Sequence, residues 1–234
     1  MRLYLIRHAD PDYPNNTITP AGHLEAAALG RRMAQVGLTH VYTSPLGRAR
    51  DTAGYTSRLV KLEPVVEDWT AELADYHIED STWGKLCAWD WPGEVIRGGA
   101  VMPNQENWHR MDAFVRPFLR ERFAVIQQHS DVFFASHGYE REGGRYRVIR
   151  PTREKIAVFC HGGFGLCWLA HLLELPLPLV WSGFFLPPSS VTTVLFDERS
   201  ATWAVPRCIG VGDTSHLYAE KLPVQPSGIK ANFE

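Results

Sequence analysis

The chain has 234 residues, 45% of them hydrophobic, with 24 Lys and Arg against 26 Asp and Glu, a formal net charge of −2. That is enough apolar chain for one large domain with its own core. A near-neutral balance gives no electrostatic footprint for nucleic acid or an anionic membrane, and no apolar run approaches the ~18 residues of a membrane span.

Leu3-Tyr4-Leu5-Ile6 is an apolar run that stops at Arg7-His8. In open α/β sheets, ligands sit beyond the carboxyl ends of the strands, so this strand places Arg7 and His8 where chemistry is done. Met1-Arg2 leads straight into it, without a long apolar segment or a small-residue cleavage site, and a cytoplasmic location is expected. Thr19-Pro20 reads as a helix start, with Thr as cap and Pro at the first position, where its missing N–H costs nothing. The helix is predicted to about Val36, with Gly37 as its stop. His40-Val41-Tyr42-Thr43 is a second short strand, and Ser44-Pro45 repeats the cap-and-proline signal for a helix to about Lys61. Strand, helix, strand, helix is the rhythm of a parallel sheet with crossovers. Val65-Val66 suggests a third strand.

From Trp69 to Trp108 the periodicity dissolves, in a segment holding five of the eight tryptophans together with Pro92, Pro103 and Gly98-Gly99. Long stretches without regular structure are usually lids or binding loops, so 69–108 is expected to be an inserted lid that sets specificity. A long helix is predicted from Asn104 to about Gln128, with Trp108, Met111, Val115, Phe118 and Arg122 on one face and Pro117 as a kink. Residues 137–150 read as a hairpin turning at Gly143-Gly144. Arg141, Arg145, Arg147, Arg150 and Arg153 cluster there, either to grip a polyanion or, more commonly, as a solvated face. Such an exposed hairpin could also mediate a homodimer. Ile156 to Cys160 is a second buried strand, followed by His161-Gly162-Gly163 and an apolar helix from Phe164 to Leu175. Val191 to Phe196 and Thr202 to Ile209 are expected as antiparallel neighbours. The four cysteines show no C-x-x-C spacing, and Cys160 and Cys167 read as small core residues.

Three strand-to-helix turns stand out: Arg7-His8, Ser44 to Arg48, and His161-Gly162-Gly163. If their strands are parallel, all three lie at one edge of the sheet, over helix N-termini that favour anions. Guanidinium forks fit tetrahedral oxyanions bidentately, so these turns describe a phosphate pocket containing two imidazoles. Residues two apart on a helix diverge by about 200°. Only one of Arg48 and Arg50 can therefore face the pocket, and Arg48 lies nearer the helix start.

In this combination and order the motifs resemble those of the histidine phosphatase superfamily, which includes cofactor-dependent phosphoglycerate mutases and many small phosphatases. Arg7-His8-Ala9 resembles the family's Arg-His-Gly. Ile18 to Ala26 resembles its Leu-Thr-Pro helix start, Thr43 to Thr52 its Thr-Ser-Pro-Leu segment, and His161-Gly162-Gly163 its His-Gly-Gly turn. The resemblance covers residues 3–52 and 154–175. It implies an α/β fold: a three-layer α/β/α sandwich with a mostly parallel sheet and one antiparallel edge strand, as a single domain over 1–234.

The resemblance also implies roles. His8 would be the nucleophile and become phosphohistidine, and Arg7, Arg48 and His161 would hold the phosphoryl group. A glutamate after the second helix would be the proton donor; Glu72 matches best, with Glu67 and Glu79 as alternatives. Asn15, or equally Asn16, would contact the phosphate, as would Gly162. No metal or other cofactor is implied, since arginines do the work of a cation. The implied partner is a phosphorylated small molecule, and hydrolysis is the leading reading. Phosphoryl transfer of the mutase type and a non-catalytic binding module are its alternatives. Two features depart from the pattern: Ala9 replaces glycine, and Ser136-His137-Gly138 is a rival His-Gly that precedes a charged hairpin and is read as a decoy.

Overall fold

The computed structural model describes residues 1–74, 76–111, 113–115 and 117–229. The chain opens with β1 (Arg2–Arg7), a small hairpin of β2 (Pro11–Asp12) and β3 (Thr17–Ile18), then α1 (Pro20–Ala34), β4 (His40–Thr43), α2 (Gly47–Val60) and β5 (Val65–Val66). A second hairpin, β6 (His77–Asp80) and β7 (Gly84–Cys87), precedes the short α3 (Gly93–Arg97) and the long α4 (Pro117–Ser136). There follow β8 (Tyr139–Glu142), β9 (Arg145–Val148), β10 (Lys155–Cys160), α5 (Gly162–Leu172), α6 (Leu177–Gly183), β11 (Val191–Asp197), β12 (Trp203–Asp213) and α7 (Ser215–Ala219).

Eight strands form one sheet in the order β5-β4-β10-β1-β11-β12-β9-β8. The first four are mutually parallel, with β10 between β4 and β1. The β11 and β12 strands are antiparallel neighbours, as expected. The expectation of one antiparallel edge strand needs correction, because β11, β12, β9 and β8 all add in antiparallel sense. The reason is local: the 137–150 hairpin, read as a free excursion, pairs Tyr146 and Arg147 of β9 with Ala204 and Trp203 of β12 and extends the sheet.

Strand alternation makes the three layers. Leu3 and Leu5 face a core shared with Phe134 of α4 and with Phe164 and Trp168 of α5. Tyr4 and Ile6 face the other way, onto Leu29 and Met33 of α1 and Ala53 of α2. A slip of one residue would exchange these two sets, so burial fixes the register.

That register positions the site. Phe159 of β10 pairs with Ile6 on one side and Thr43 on the other. One residue further on, Arg7, Cys160 and Ser44 are level; two further on stand His8 and His161. The three turns singled out in the sequence therefore meet at one sheet edge.

Several boundaries differ from expectation. Asn104 does cap, accepting from the amides of Glu106 and Asn107, but closes only one turn. The helix proper begins at Pro117, which takes a helix-start position instead of kinking an existing helix. It runs past Gln128 to Ser136, where the left-handed Gly138 (φ +91°) supplies the stop. The side chain of Phe118 lies outside the described residues. Residues 69–108, expected to lack regular structure, hold β6, β7 and α3, and Ile78, Trp91, Ile96 and Trp108 are buried in the main core. Most of the arginine cluster is paired: Arg141 with Glu174, Arg145 and Arg147 with Glu142, and Arg150 with Glu154. It is an ion-paired face, half-exposed at Arg145, Arg147 and Arg150.

Candidate active site

His8 is buried, and its ring Nδ1–H donates to the carbonyl of Ala9 at 2.7 Å. That bond fixes the tautomer and leaves Nε2 with a lone pair. Burial, reinforced by the Arg7 guanidinium, holds its pKa well below the ordinary histidine value, so the imidazole is neutral near pH 7. The His161 ring lies 5.1 Å from that of His8, centroid to centroid, tilted by 59°. Its Nε2 pairs with the Ser44 hydroxyl at 2.7 Å. The Ser44 Oγ also accepts from the Leu46 amide; with its own proton given to Nε2, the histidine proton lies on Nδ1. Burial and the neighbouring His8 hold His161 neutral too.

Arg7 and Arg48 are 5% and 8% exposed, low for guanidinium groups. Arg7 donates to the Leu186 carbonyl at 2.6 Å, and Arg48 to the Asn16 side-chain oxygen at 3.2 Å. Burial lowers the Arg48 pKa from a very high start, so the group stays charged. Three buried nitrogens of this cluster, Arg7 Nε, Arg48 Nε and His161 Nδ1, have no hydrogen-bond partner among the described residues. Orphaned buried donors are costly. Here they belong to side chains next to His8 in space, whose charges act on it or whose ring packs against its own, a set of donors that a tetrahedral oxyanion can satisfy.

The half-buried Glu72 sits at the start of α5. Its Oε1 accepts from the amides of Phe164 (2.8 Å) and Leu73 (3.1 Å), and its Oε2 from that of Gly163 (3.1 Å). Burial nevertheless pushes its pKa above the usual carboxyl range, against the pull of those amides. Oε2, with one N–H, keeps room for a proton. Gly163 must be glycine: a Cβ there would lie 2.5 Å from Cδ2 of Trp89 and 2.9 Å from Glu72 Oε1. A Cβ on Gly162 would rest against the Arg7 guanidinium, 3.5 Å from Nε. Of the other glutamates considered, Glu67 accepts from the Trp69 indole and Glu79 is exposed on β6.

Asn15 does not face this cluster. Its amide is tied back to Asp12 at 2.8 Å, and its neighbour Asn16, in the left-handed conformation (φ 52°), meets Arg48. Gly47 lets that approach happen, because a side chain there would collide with the Asn16 carbonyl. Thr52, one turn along α2 from Arg48, accepts the Ala9 amide at 3.0 Å and so ties the β1 turn to α2. Ala9 needs no glycine, since it is absent from the positive-φ residues and its methyl packs with Ile18 and Ala26.

Sequence reasoning took Ser44 for a helix cap, but α2 begins at Gly47 and the hydroxyl orients His161 instead. It also passed over Thr52 as an anchor. Near the other end of the described chain, the Ser227 hydroxyl donates to Asp10 at 2.6 Å, and the adjacent Gly228 lies near the Arg7 guanidinium.

His137 is at the opposite end of the sheet from His8. With His40 and Glu154 it forms the one described group of side chains suited to a cation, ligand atoms within 4.8 Å of one another. Both its ring nitrogens are already engaged, with Glu154 at 2.7 Å and Tyr42 at 3.1 Å, so the cluster is a satisfied network remote from the reaction.

Two predictions arise here. Arg48→Ala should lower kcat/KM by about 10²-fold, the yield of one buried donor to a developing oxyanion. Arg50→Ala, at an exposed position, should stay within roughly threefold. Parallel steady-state kinetics check this, and equal losses would refute the facing of α2.

Glu25 is 2% exposed and accepts from the Asp10 amide at 3.0 Å. Burial, helped by the Asp10 carboxylate, raises its pKa from 4.5 to about 7. The folded state thus holds this proton more tightly than the unfolded chain. The stabilisation is complete below the unfolded value and is lost as pH rises through about 7. Glu25→Gln keeps the acceptor without the charge. It should match wild type at pH 4 and exceed it at pH 8.5 by roughly 3 kcal/mol in urea melts. A constant difference across pH would refute the raised pKa.

Known proteins share this sequence pattern and this fold. A profile of the histidine phosphatase superfamily (branch 1) matches residues 3–139. A Hydrogenobacter thermophilus protein provisionally named phosphoserine phosphatase 2 is 26% identical over 152 residues, covering 58% of this chain and 73% of that one. A probable phosphoglycerate mutase of Serratia proteamaculans is 24% identical over 151 residues, covering 59% and 70%. The structure of a phosphoserine phosphatase from Entamoeba histolytica in complex with phosphoserine superposes with a TM-score of 0.62 at 16% identity, covering 92% of this chain and 98% of that one. His161 lies beyond the matched profile and joins the site through the pairing of β10 with β1.

Proposed function

Because the chain belongs to the histidine phosphatase superfamily, branch 1, we propose that this enzyme hydrolyses the phosphomonoester of a small metabolite through a covalent phosphohistidine on His8. The observation that carries the reading is the set of three orphaned N–H donors around a buried neutral imidazole with a free lone pair.

The chemistry follows from those groups. The phosphoryl oxygens take the Arg7, Arg48 and His161 donors, which gain strength as charge builds up in transfer. His8 Nε2 attacks phosphorus, the N–P bond forms and the P–O bond to the leaving alcohol breaks. Glu72 gives its proton to the departing oxygen. In the second half, Glu72 as carboxylate takes a proton from water. The water oxygen bonds phosphorus, and the N–P bond breaks to release phosphate and the neutral imidazole. Ser44 keeps His161 in the tautomer that donates, and Thr52 and the Ala9 carbonyl hold His8 in the one that attacks.

The test is to quench the protein during turnover of a phosphomonoester panel. Inorganic phosphate should appear without a bisphosphorylated primer, and the protein should carry an acid-labile, alkali-stable phosphoryl group that His8→Ala lacks. Primer-dependent isomerisation with no net phosphate would make the protein a mutase. Absence of any His8-dependent phosphoryl transfer would leave it a binding module.

A further inference from the structure

The rim of the pocket is aromatic. Tyr13, 59% exposed, lies on the Arg48 guanidinium at 5.3 Å from carbon to ring centroid. Phe185, partly exposed, lies on that of Arg7 at 5.8 Å. Trp89 packs its six-membered ring on the Gly163 backbone, beside Glu72. Each ring thus abuts a different member of the cluster: one arginine, the other arginine, and the carboxyl group.

The charges around the cluster are correspondingly few. Among the described residues, the cations whose fields reach His8, His161 and Glu72 are Arg7 and Arg48. A phosphoryl dianion occupies both forks. A second anionic group on the substrate, such as a carboxylate, would sit beside Glu72 with no further cation among the described residues, a costly position in a partly dry site.

Position in the reaction then selects the substrate. Glu72 protonates the leaving oxygen, so the carbon bearing that oxygen lies next to Glu72, and Trp89 is the surface against which it rests. An indole face offers a planar, apolar contact. We propose that the leaving group is an uncharged alcohol with an aromatic ring, stacked on Trp89 within the rim formed with Tyr13 and Phe185. This inference deepens the phosphatase reading and rests on it.

The test compares phosphates whose leaving alcohols have similar basicity, so that intrinsic reactivity does not decide the outcome: benzyl phosphate, propyl phosphate and phosphoserine. Wild-type kcat/KM for benzyl phosphate should exceed that for propyl phosphate by roughly tenfold or more, the order of one good aromatic contact. It should exceed that for phosphoserine by a larger margin. In Trp89→Leu the benzyl-to-propyl ratio should fall to about three or less, and Trp89→Phe should restore most of it. Binding of benzylphosphonate to His8→Ala should quench indole fluorescence, and Trp89→Phe in that background should remove the quench. Equal rates on all three esters, a preference for phosphoserine, or a ratio unmoved in a folded Trp89→Leu would overturn the proposal and leave the phosphatase reading standing. If Trp89→Leu does not fold, the wild-type ratio decides. No His8-dependent release from any ester would instead overturn the parent reading.

Discussion

His8→Ala is expected to lower kcat on any phosphomonoester by at least ~10⁴-fold while leaving affinity for inorganic phosphate within a few-fold. The two halves of this expectation have separate causes. In the proposed reaction phosphate is held by Arg7, Arg48 and the His161 Nδ1–H, none of which depends on the His8 ring for its own hydrogen bonds. Turnover there depends on one lone pair. His161 would not replace it: its Nε2 is engaged by the Ser44 hydroxyl, and with that hydroxyl as donor its Nδ1 carries the proton. Water attacking without a covalent intermediate retains the cationic clamp but loses the positioned nucleophile, hence a residual rate and not zero. Vanadate separates the two causes. It accepts a fifth ligand, so its affinity should fall far more than that of phosphate when the imidazole is gone. Calorimetric titration with both anions, alongside single-turnover kinetics, checks the prediction. A variant that kept more than about 1% of wild-type turnover would show that the nucleophile lies elsewhere.

How far the sequence alone reaches depends on how local each signal is. Arg7-His8 and His161-Gly162 were legible because an apolar run ending in a polar pair states both the strand and its exit. The parallel register, Ile6 beside Phe159 beside Thr43, then carries residues from distant parts of the chain to one edge. Arg48 followed from helical geometry. Ser44 was misread because a serine before proline has the local form of a helix cap, and only tertiary structure shows its hydroxyl committed to His161. Asn15 and Asn16 could not be separated by sequence; a left-handed φ at Asn16 and an Asx turn at Asp12 decide between them. The joining of β9 and β8 to the sheet was hidden for the same reason, since β9 looks like half of an isolated hairpin until β12 is seen beside it. The tryptophans of 69–108 divide by a criterion that composition lacks. Trp91 and Trp108 fill the core, whereas the half-buried Trp89 packs against the edge of that core and over Gly163, which leaves room for its ring.

Glu72→Gln should cost about 10³-fold in kcat on an alkyl phosphate and far less on 4-nitrophenyl phosphate, whose leaving group departs without a proton. This difference distinguishes acid catalysis from damage. The amide would still accept from Phe164 and Leu73 through its oxygen, but its NH₂ would face the Gly163 N–H, two donors together. The resulting strain at the start of α5 would slow every substrate alike; loss of a proton donor slows only those that need one. The pH profile gives a second handle. Burial holds the Glu72 proton above the usual carboxyl range, and burial with Arg7 holds His8 below the usual histidine range. The proposed reaction requires His8 neutral and Glu72 protonated. Wild-type kcat/KM should therefore persist into acid, where an ordinary histidine would already be cationic, and decline on the alkaline side as Glu72 ionises. Glutamine has no proton to lose, so the alkaline limb due to Glu72 should vanish in the variant while the acid limb stays. Equal losses on both esters, with the wild-type alkaline limb intact, would assign Glu72 to holding the helix start and move the proton donor to another group.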